Sequence, residues 1–379
     1  MGKGVAVLHG CRSIPWSAAG WLVAGVISAA PYGSIAHAAE GGAEKPEVAP
    51  GRATQWKVSG YMQGRLSHEE GEPWEFLVRR ARLKVEARFQ QEASFLLQLA
   101  ADKHKVSLKD AVVKYHFPSG LTLEVGQRKW NASYEVLQSS SVREMPERSA
   151  VARYLFPGER DRGVMLSGRT RGRQPLYWAV GLWNGNGIKD QDGELNDFKD
   201  VVVYFTNLRK GKGPYQGPPQ LKWQLYGYWG RARQLFVDAA GNVTGGRNRP
   251  KWRAGFGLQY HYVSVPEDNP YIWREGSALK IEVITGKGYA TDPSHQGRTW
   301  RDASAWGFWA QWMRNILPTD DLVIRYDLFD PQGGDYERTL GLGWIHYLGA
   351  VTCCTFAYAF ASRPGQDKGR FTLQLQFKY

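Results

Sequence analysis

Sixteen stretches of this chain alternate polar and apolar residues, and no long stretch keeps a helical period. A period of two places successive side chains on opposite faces of a strand, so this pattern constrains the fold more than any other feature. The stretches are 56–66, 76–89, 94–102, 106–117, 121–128, 163–169, 176–184, 200–208, 221–229, 251–263, 279–286, 304–316, 321–330, 338–348, 351–361 and 370–379. Only 131–156 carries a trace of helical period. One strand with its connection takes about 21 residues, which suits strands of about 9–11 residues tilted across an outer membrane. The long intervals 67–75, 129–162, 185–199, 230–250 and 287–303 alternate with short ones at 90–93, 118–120, 170–175, 317–320 and 349–350. Loops in one compartment and turns in the other give this alternation. Two intervals, 209–220 and 264–278, are long for the turn end. The expected fold class is all-β: a transmembrane antiparallel β-barrel of about 16 strands with long extracellular loops.

The composition agrees. Forty-four Gly, 16 Trp and 19 Tyr in a polar chain suit many turns and an aromatic-girdled barrel. A bundle of transmembrane helices is excluded, because the one long apolar stretch lies before residue 40. That stretch reads as a signal peptide over 1–38. Lys3 and Arg12 precede an apolar run from Ile14 to Ile35, and Ala36-His37-Ala38 follows as a cleavage site. Residues 39–55 read as a periplasmic linker and 56–379 as the outer-membrane barrel. Cleavage removes Cys11 and leaves Cys353 and Cys354, whose adjacent positions in a strand point to opposite faces. Export without a disulfide framework fits the outer membrane of a Gram-negative cell.

The polar strand faces are basic. From Phe76 to Phe89, Leu77, Ala81, Leu83, Val85, Ala87 and Phe89 take the lipid parity, with Arg79 out of place among them. Arg80, Arg82, Lys84 and Arg88 take the lumen parity, about 7 Å apart, with Glu86 the one acid. Lys57, Arg65, Arg128, Arg169, Lys222, Lys251, Arg253, Lys280 and Arg325 join them, against the acids Glu86, Asp110, Glu124, Glu282 and Asp327. A basic wall in a narrow channel favours anions. The expected anion path is Arg80, Arg82, Lys84, Arg88, Arg128, Arg169, Arg253 and Arg325. The long interval 129–162 is read as a loop that narrows the barrel, carrying Lys129, Arg143, Arg148, Arg153, Arg160 and Arg162 among five acids. Phe377 and Tyr379 close an alternating last strand and read as the signal for the barrel-assembly machinery.

Several of these segments resemble one family. Arg79-Arg80-Ala81-Arg82-Leu83-Lys84-Val85-Glu86, Leu108-Lys109-Asp110-Ala111 and Val125-Gly126-Gln127-Arg128-Lys129 are followed by Glu147-Arg148-Ser149, Arg160-Asp161-Arg162-Gly163-Val164 and Trp183-Asn184-Gly185-Asn186-Gly187. Their order and spacing are similar to those of the phosphate-selective porins, the porin O and P family. The resemblance implies a sixteen-stranded, trimeric outer-membrane channel for phosphate or related anions, with arginines along the path. Partners expected are inorganic phosphate or other small anions, outer-membrane lipid and lipopolysaccharide, and two further copies of the chain.

No cofactor, metal site or catalytic residue is expected, and no nucleic-acid partner. The chain lacks G-x-S-x-G, a phosphate-binding Gly-rich loop, H-E-x-x-H and C-x-x-C-H. Asp190-x-Asp192-Gly193-Glu194 fails the calcium-loop pattern. The competing readings are a general diffusion or carbohydrate channel with a Trp/Tyr slide, and a barrel enzyme or adhesin.

Overall fold

The computed structural model describes residues 54–379, apart from 91, 103–104, 173, 190–193, 208–219, 264–270, 272–273, 293 and 332–335. The signal-peptide and most of the linker expectations lie outside these residues, as do Asp190, Asp192 and Gly193.

Sixteen strands form one closed antiparallel barrel, each paired with its neighbour in sequence and the first with the last. They are β1 (Thr54–Glu69), β2 (Glu75–Phe89), β3 (Ala93–Asp102), β4 (Lys105–His116), β5 (Thr122–Lys129), β6 (Arg160–Arg169), β7 (Leu176–Trp183) and β8 (Asp200–Asn207). There follow β9 (Gln220–Val237), β10 (Val243–His261), β11 (Ala278–Ala290), β12 (Trp300–Leu317), β13 (Asp320–Asp330), β14 (Glu337–Gly349), β15 (Thr352–Arg363) and β16 (Gln366–Lys378). Closure leaves no sheet edge, the only way a β structure can satisfy its backbone inside lipid. The seam is completed beyond the last strand: the Gly60 and Tyr379 backbones exchange two hydrogen bonds of 3.1 Å. A Cβ on Gly60 would meet the Tyr379 ring at 2.7–2.8 Å, so only Gly lets that ring lie against β1.

The outward face is apolar. Val58, Met62, Val113, Val125, Leu225, Phe256, Val283, Leu342 and Leu375 are exposed along it. Aromatic pairs rim the turn end, such as Trp56 with Phe95 at 5.7 Å and Trp344 with Phe356 at 5.0 Å. The sixteen expected strands are all present, and β9 and β10 run furthest past their expected ends. The interval 230–250 is not an open loop: β9 and β10 continue through it as a hairpin closed by 238–242. Asp238 caps that turn, accepting from the Ala240 and Asn242 backbone N–H groups. Beyond the membrane a strand needs no apolar face, so its alternation fades while its pairing continues. Of the interval 264–278, residues 264–270 and 272–273 lie outside the described residues, and Arg274, Glu275 and Ser277 are buried.

The lumen is partly filled. Residues 130–159 fold back inside and form two short helices, α1 (Tyr134–Leu137) and α2 (Ala150–Leu155). Ser133 and Ser149 cap them, each accepting a backbone N–H two or three residues on. Val136, Val151 and Leu155 are fully buried against aromatics of the wall such as Tyr226, Trp309 and Phe329. Each buried side chain of this size contributes roughly 1.5–3 kcal/mol to holding the loop down.

Candidate functional site: the arginine waist

Two β-bulges build the site. Along β1 the partner of Gln63 is Arg80, but the partner of Gly64 is Val78, so Arg79 is an extra residue. An extra residue breaks the alternation and can aim two neighbours at the same side. Arg79 reaches Glu147 of the inner loop at 3.1 Å, and Arg80 reaches Gln63 Oε1 at 3.2 Å. Arg79 therefore faces the lumen, against its expected lipid parity. Beyond the bulge Phe76 and Val78 face outward, 83% and 55% exposed, and Leu77 takes the inward parity, so its lipid placement is also corrected. The strand β4 repeats the device: the partners step from Gln98–Asp110 to Leu99–Leu108 and leave Lys109 extra. Lys109 turns inward to Asp102 at 3.9 Å, beside Asp110, which accepts from Arg160 at 2.9 Å. Outside the barrel, Gln127 Nε2 donates to the Leu108 and Lys109 carbonyls that this bulge frees.

The inner loop seats on the β9–β13 wall and leaves the open lumen beside β1–β5. Two chambers result. The turn-side one is bounded by residues such as Tyr61, Lys84, Lys114, Glu124 and Arg128. The loop-side one is bounded by Arg79, Asp102, Lys109, Glu147 and Lys189. Both share Arg80, Arg82, Arg143, Arg148, Arg160 and Glu159, which form the waist between them. Arg82 is paired with Asp102, Arg148 with Glu159, and Arg160 with Glu159 and Asp110. Among the described residues Arg80 and Arg143 have no carboxylate within ion-pair distance. Burial, then Arg148 and Arg80, push the Arg143 guanidinium down from its ordinary value. Burial disfavours the Glu159 carboxylate, but Arg148, Lys129 and Arg160 outweigh it and hold Glu159 well below its usual range.

The sealed wall has the opposite charge balance. Lys280 lies between Glu144 and Glu275, and Arg325 between Glu135 at 3.1 Å and Asp327 at 3.4 Å. Among the described residues Glu282 has no cation partner, and it accepts five hydrogen bonds: from Tyr134 N–H, Gln224 and Tyr226 at one oxygen, and from Ser133 and Trp309 at the other. These groups fasten the loop.

The expected path residues divide accordingly. Arg80, Arg82, Lys84 and Arg128 line the turn-side chamber, together with Lys129, Arg143, Arg148 and Arg160. Arg88 and Arg169 keep the lumen parity but lie exposed near the turn end, away from both chambers. Arg253 is not on the path: buried to 3%, it donates to the carbonyls of Leu155, Trp252, Lys287 and Gly288 and ties the loop to the wall. Arg325 is likewise a loop anchor, also donating to the Glu147 carbonyl at 2.8 Å. Arg153 borders both the loop-side chamber and a vestibule nearer the loop end, and pairs with Glu337 at 2.6 Å. Arg162 is not in the constriction: it lies within β6 on the face opposite buried Met165 and donates to Gln127 at 3.2 Å. Sequence reasoning missed Lys109 and Gln63. Of the Trp and Tyr residues read as a sugar slide, Trp130, Trp183, Tyr226 and Tyr228 are buried, while Trp56, Trp229, Trp344 and Tyr358 are exposed.

The resembling motifs also acquire reasons. Gly185, at φ +96°, donates its N–H to Asp161 at 2.6 Å, joining the segment after β7 to the start of β6. Ser149 caps α2 between Arg148, which pairs with Glu159, and the buried helix itself.

Residues 51–209 match the family model described as phosphate-selective porin O and P. A comparison with curated proteins finds no match. Solved structures with the same architecture include the anion-selective porin from Comamonas acidovorans, at TM-score 0.60 and 10% identity, covering 86% of this chain and 100% of that one. Pseudomonas putida OprB follows at TM-score 0.58 and 10% identity, covering 86% and 94%. Vibrio cholerae OmpT, in its trimer form, gives TM-score 0.57 and 8% identity over 86% and 100%. Residues 51–209 are thus similar to the phosphate-selective porin O and P family, and the barrel has the fold of solved outer-membrane porins.

Proposed function

We propose that this porin is an anion-selective diffusion channel for phosphate or a related oxyanion, exported by its N-terminal signal peptide and assembled as a homotrimer. The observation that carries the reading is the waist: five arginines and one glutamate, with Arg80 and Arg143 lacking a carboxylate partner among the described residues. Guanidinium groups keep their charge and offer forked donors that match an oxyanion. Clustered in a narrow, poorly solvated passage they repel one another, and an entering anion relieves that repulsion. The trimer rests on the OmpT likeness and the family.

The test is reversal potential across a planar bilayer under a KCl gradient. The purified channel should reverse toward the chloride potential, and Arg80→Glu with Arg82→Glu should move it toward potassium. A wild-type channel reversing at the potassium potential refutes the proposal.

A further inference from the structure

Six carboxylates of the open lumen and its vestibule each hold two cations, although Arg160 is also shared with Asp110 and Lys84 pairs singly with Glu86. Glu147 lies between Arg65 at 2.6 Å and Arg79 at 3.1 Å, and Glu159 between Arg148 and Arg160. Asp102 is shared by Arg82 and Lys109. Glu337 and Glu69 repeat the arrangement in the vestibule, and Glu124 repeats it in the turn-side chamber. Taken as a bare unit, each group carries a net charge of +1. On the sealed wall the ratio is reversed, with one cation between two acids at Lys280 and Arg325.

We propose that the carboxylates of the open lumen are internal counter-ions that a passing oxyanion displaces in turn, and that Glu159 at the waist sets how tightly phosphate is held and how fast it leaves. The inference rests on the oxyanion reading above. A carboxylate and a phosphate compete for the same guanidinium donors. When phosphate arrives, the acid gives up one cation and keeps the other, so charge-assisted contacts are exchanged and not simply added. The well felt by phosphate is then the difference between two similar interactions. Without the acid, two facing guanidiniums would clamp phosphate with their full strength, and a site that deep slows conduction.

The backbone at Glu159 supports a placed carboxylate. Glu159 adopts φ +53° next to Gly158 at φ +84°. A non-glycine residue in that region costs on the order of 1–3 kcal/mol and persists where surrounding contacts enforce it. Here the strained residue is the one acid of the waist. If attraction of anions were all that mattered, an acid at this point would be a defect.

Simple electrostatics and counter-ion exchange predict opposite results for Glu159→Gln. With one acid removed, simple electrostatics raises the phosphate current. Exchange predicts a phosphate current that saturates at about tenfold lower concentration, one charge-assisted contact's worth, with a lower maximal current. The experiment is single-channel recording of the full-length channel over a potassium phosphate series. Glu147→Gln should act in the same direction, and it carries the test if Glu159→Gln does not fold. Asp302→Asn is the control: Asp302 pairs with Arg249 at 3.3 Å and Lys287 at 3.4 Å and borders neither chamber. An unchanged half-saturating concentration overturns the inference, as does a maximal phosphate current that does not fall. The KCl-gradient reversal potential of the wild type separates the two failures. A cation-selective wild type overturns the oxyanion reading and this inference with it; an anion-selective wild type with unaltered saturation in the variants overturns this inference alone.

Discussion

Replacing Glu282 with Gln should loosen the inner loop. The wild-type carboxylate accepts from Ser133 Oγ at 2.7 Å and Trp309 Nε1 at 2.9 Å on one oxygen. The other takes Gln224 Nε2 at 2.7 Å, Tyr226 OH at 3.1 Å and Tyr134 N–H at 3.1 Å. An amide has one acceptor oxygen, so its NH₂ must replace one of these two. Placed toward Ser133 and Trp309 it does least harm, because the Ser133 hydroxyl can rotate and accept. The Trp309 indole cannot accept, and its N–H is left facing another donor. One stranded buried donor and the lost charge assistance cost about 2–3 kcal/mol. At 1.4 kcal/mol per decade this is roughly a 30- to 150-fold shift toward the undocked loop. Glu282→Ala strands all five donors and should shift it further. Arg143, Arg148 and Arg153 lie in the loop and are trypsin sites. The assay is trypsin cleavage of the folded barrel between 138 and 155, alongside open-channel noise. Both should rise in Glu282→Gln and rise more in Glu282→Ala. Cleavage and noise at wild-type levels in both variants would show that this carboxylate does not hold the loop.

Three further outcomes are expected. Arg79→Gln should move reversal potential toward cations, whereas Arg162→Gln should leave it unchanged; the reverse ranking would mean that the bulge in β2 is misplaced. Deleting Phe377 to Tyr379 removes both Gly60–Tyr379 backbone bonds and the Met62–Phe377 pairing, so the truncated chain should be missing from outer-membrane fractions; normal amounts there count against a seam role. Burial opposes ionisation of Glu144, but Lys280 outweighs it and holds the carboxyl at about 2, against an ordinary 4.5. A depressed carboxylate contributes its stability above the ordinary value and loses it as pH falls toward the folded one, so open-channel noise should stay flat above pH 4.5 and grow between 4.5 and about 2. Noise that rises above pH 5 instead would point to a different group.

The sixteen strands were legible because lipid imposes its own alternation on every spanning segment, and a residue's face follows from counting by two. The same counting failed at Arg79 and Lys109, since a bulge is set by the paired strand and not by the strand that carries it. A signal was present at Arg79: two consecutive arginines in a spanning strand leave one facing lipid unless the backbone slips. Val78-Arg79-Arg80 could have been read as a bulge on that ground. At Lys109 the neighbouring Asp110 gave the same hint more weakly. Arg162 went astray because the interval was taken to run to 162, although β6 begins at Arg160.

A count of charges facing the lumen reports their sign but not their use. Arg253 and Arg82 both stand on inward faces, yet one is consumed by four backbone carbonyls and the other borders both chambers. What separates them is where the inner loop lies, and that depends on Ser133, Glu135, Ala150 and Leu155 meeting wall residues more than a hundred positions away or close to it. Seating the loop on β9–β13 turns the cations of that wall into fasteners, and leaves Arg80, Arg82 and Lys84 of β2 and Arg128 of β5 bordering the chambers. Selectivity in such a barrel is therefore a property of the loop's position as much as of the arginines, and a variant that frees the loop should blur anion preference without touching a residue of the waist.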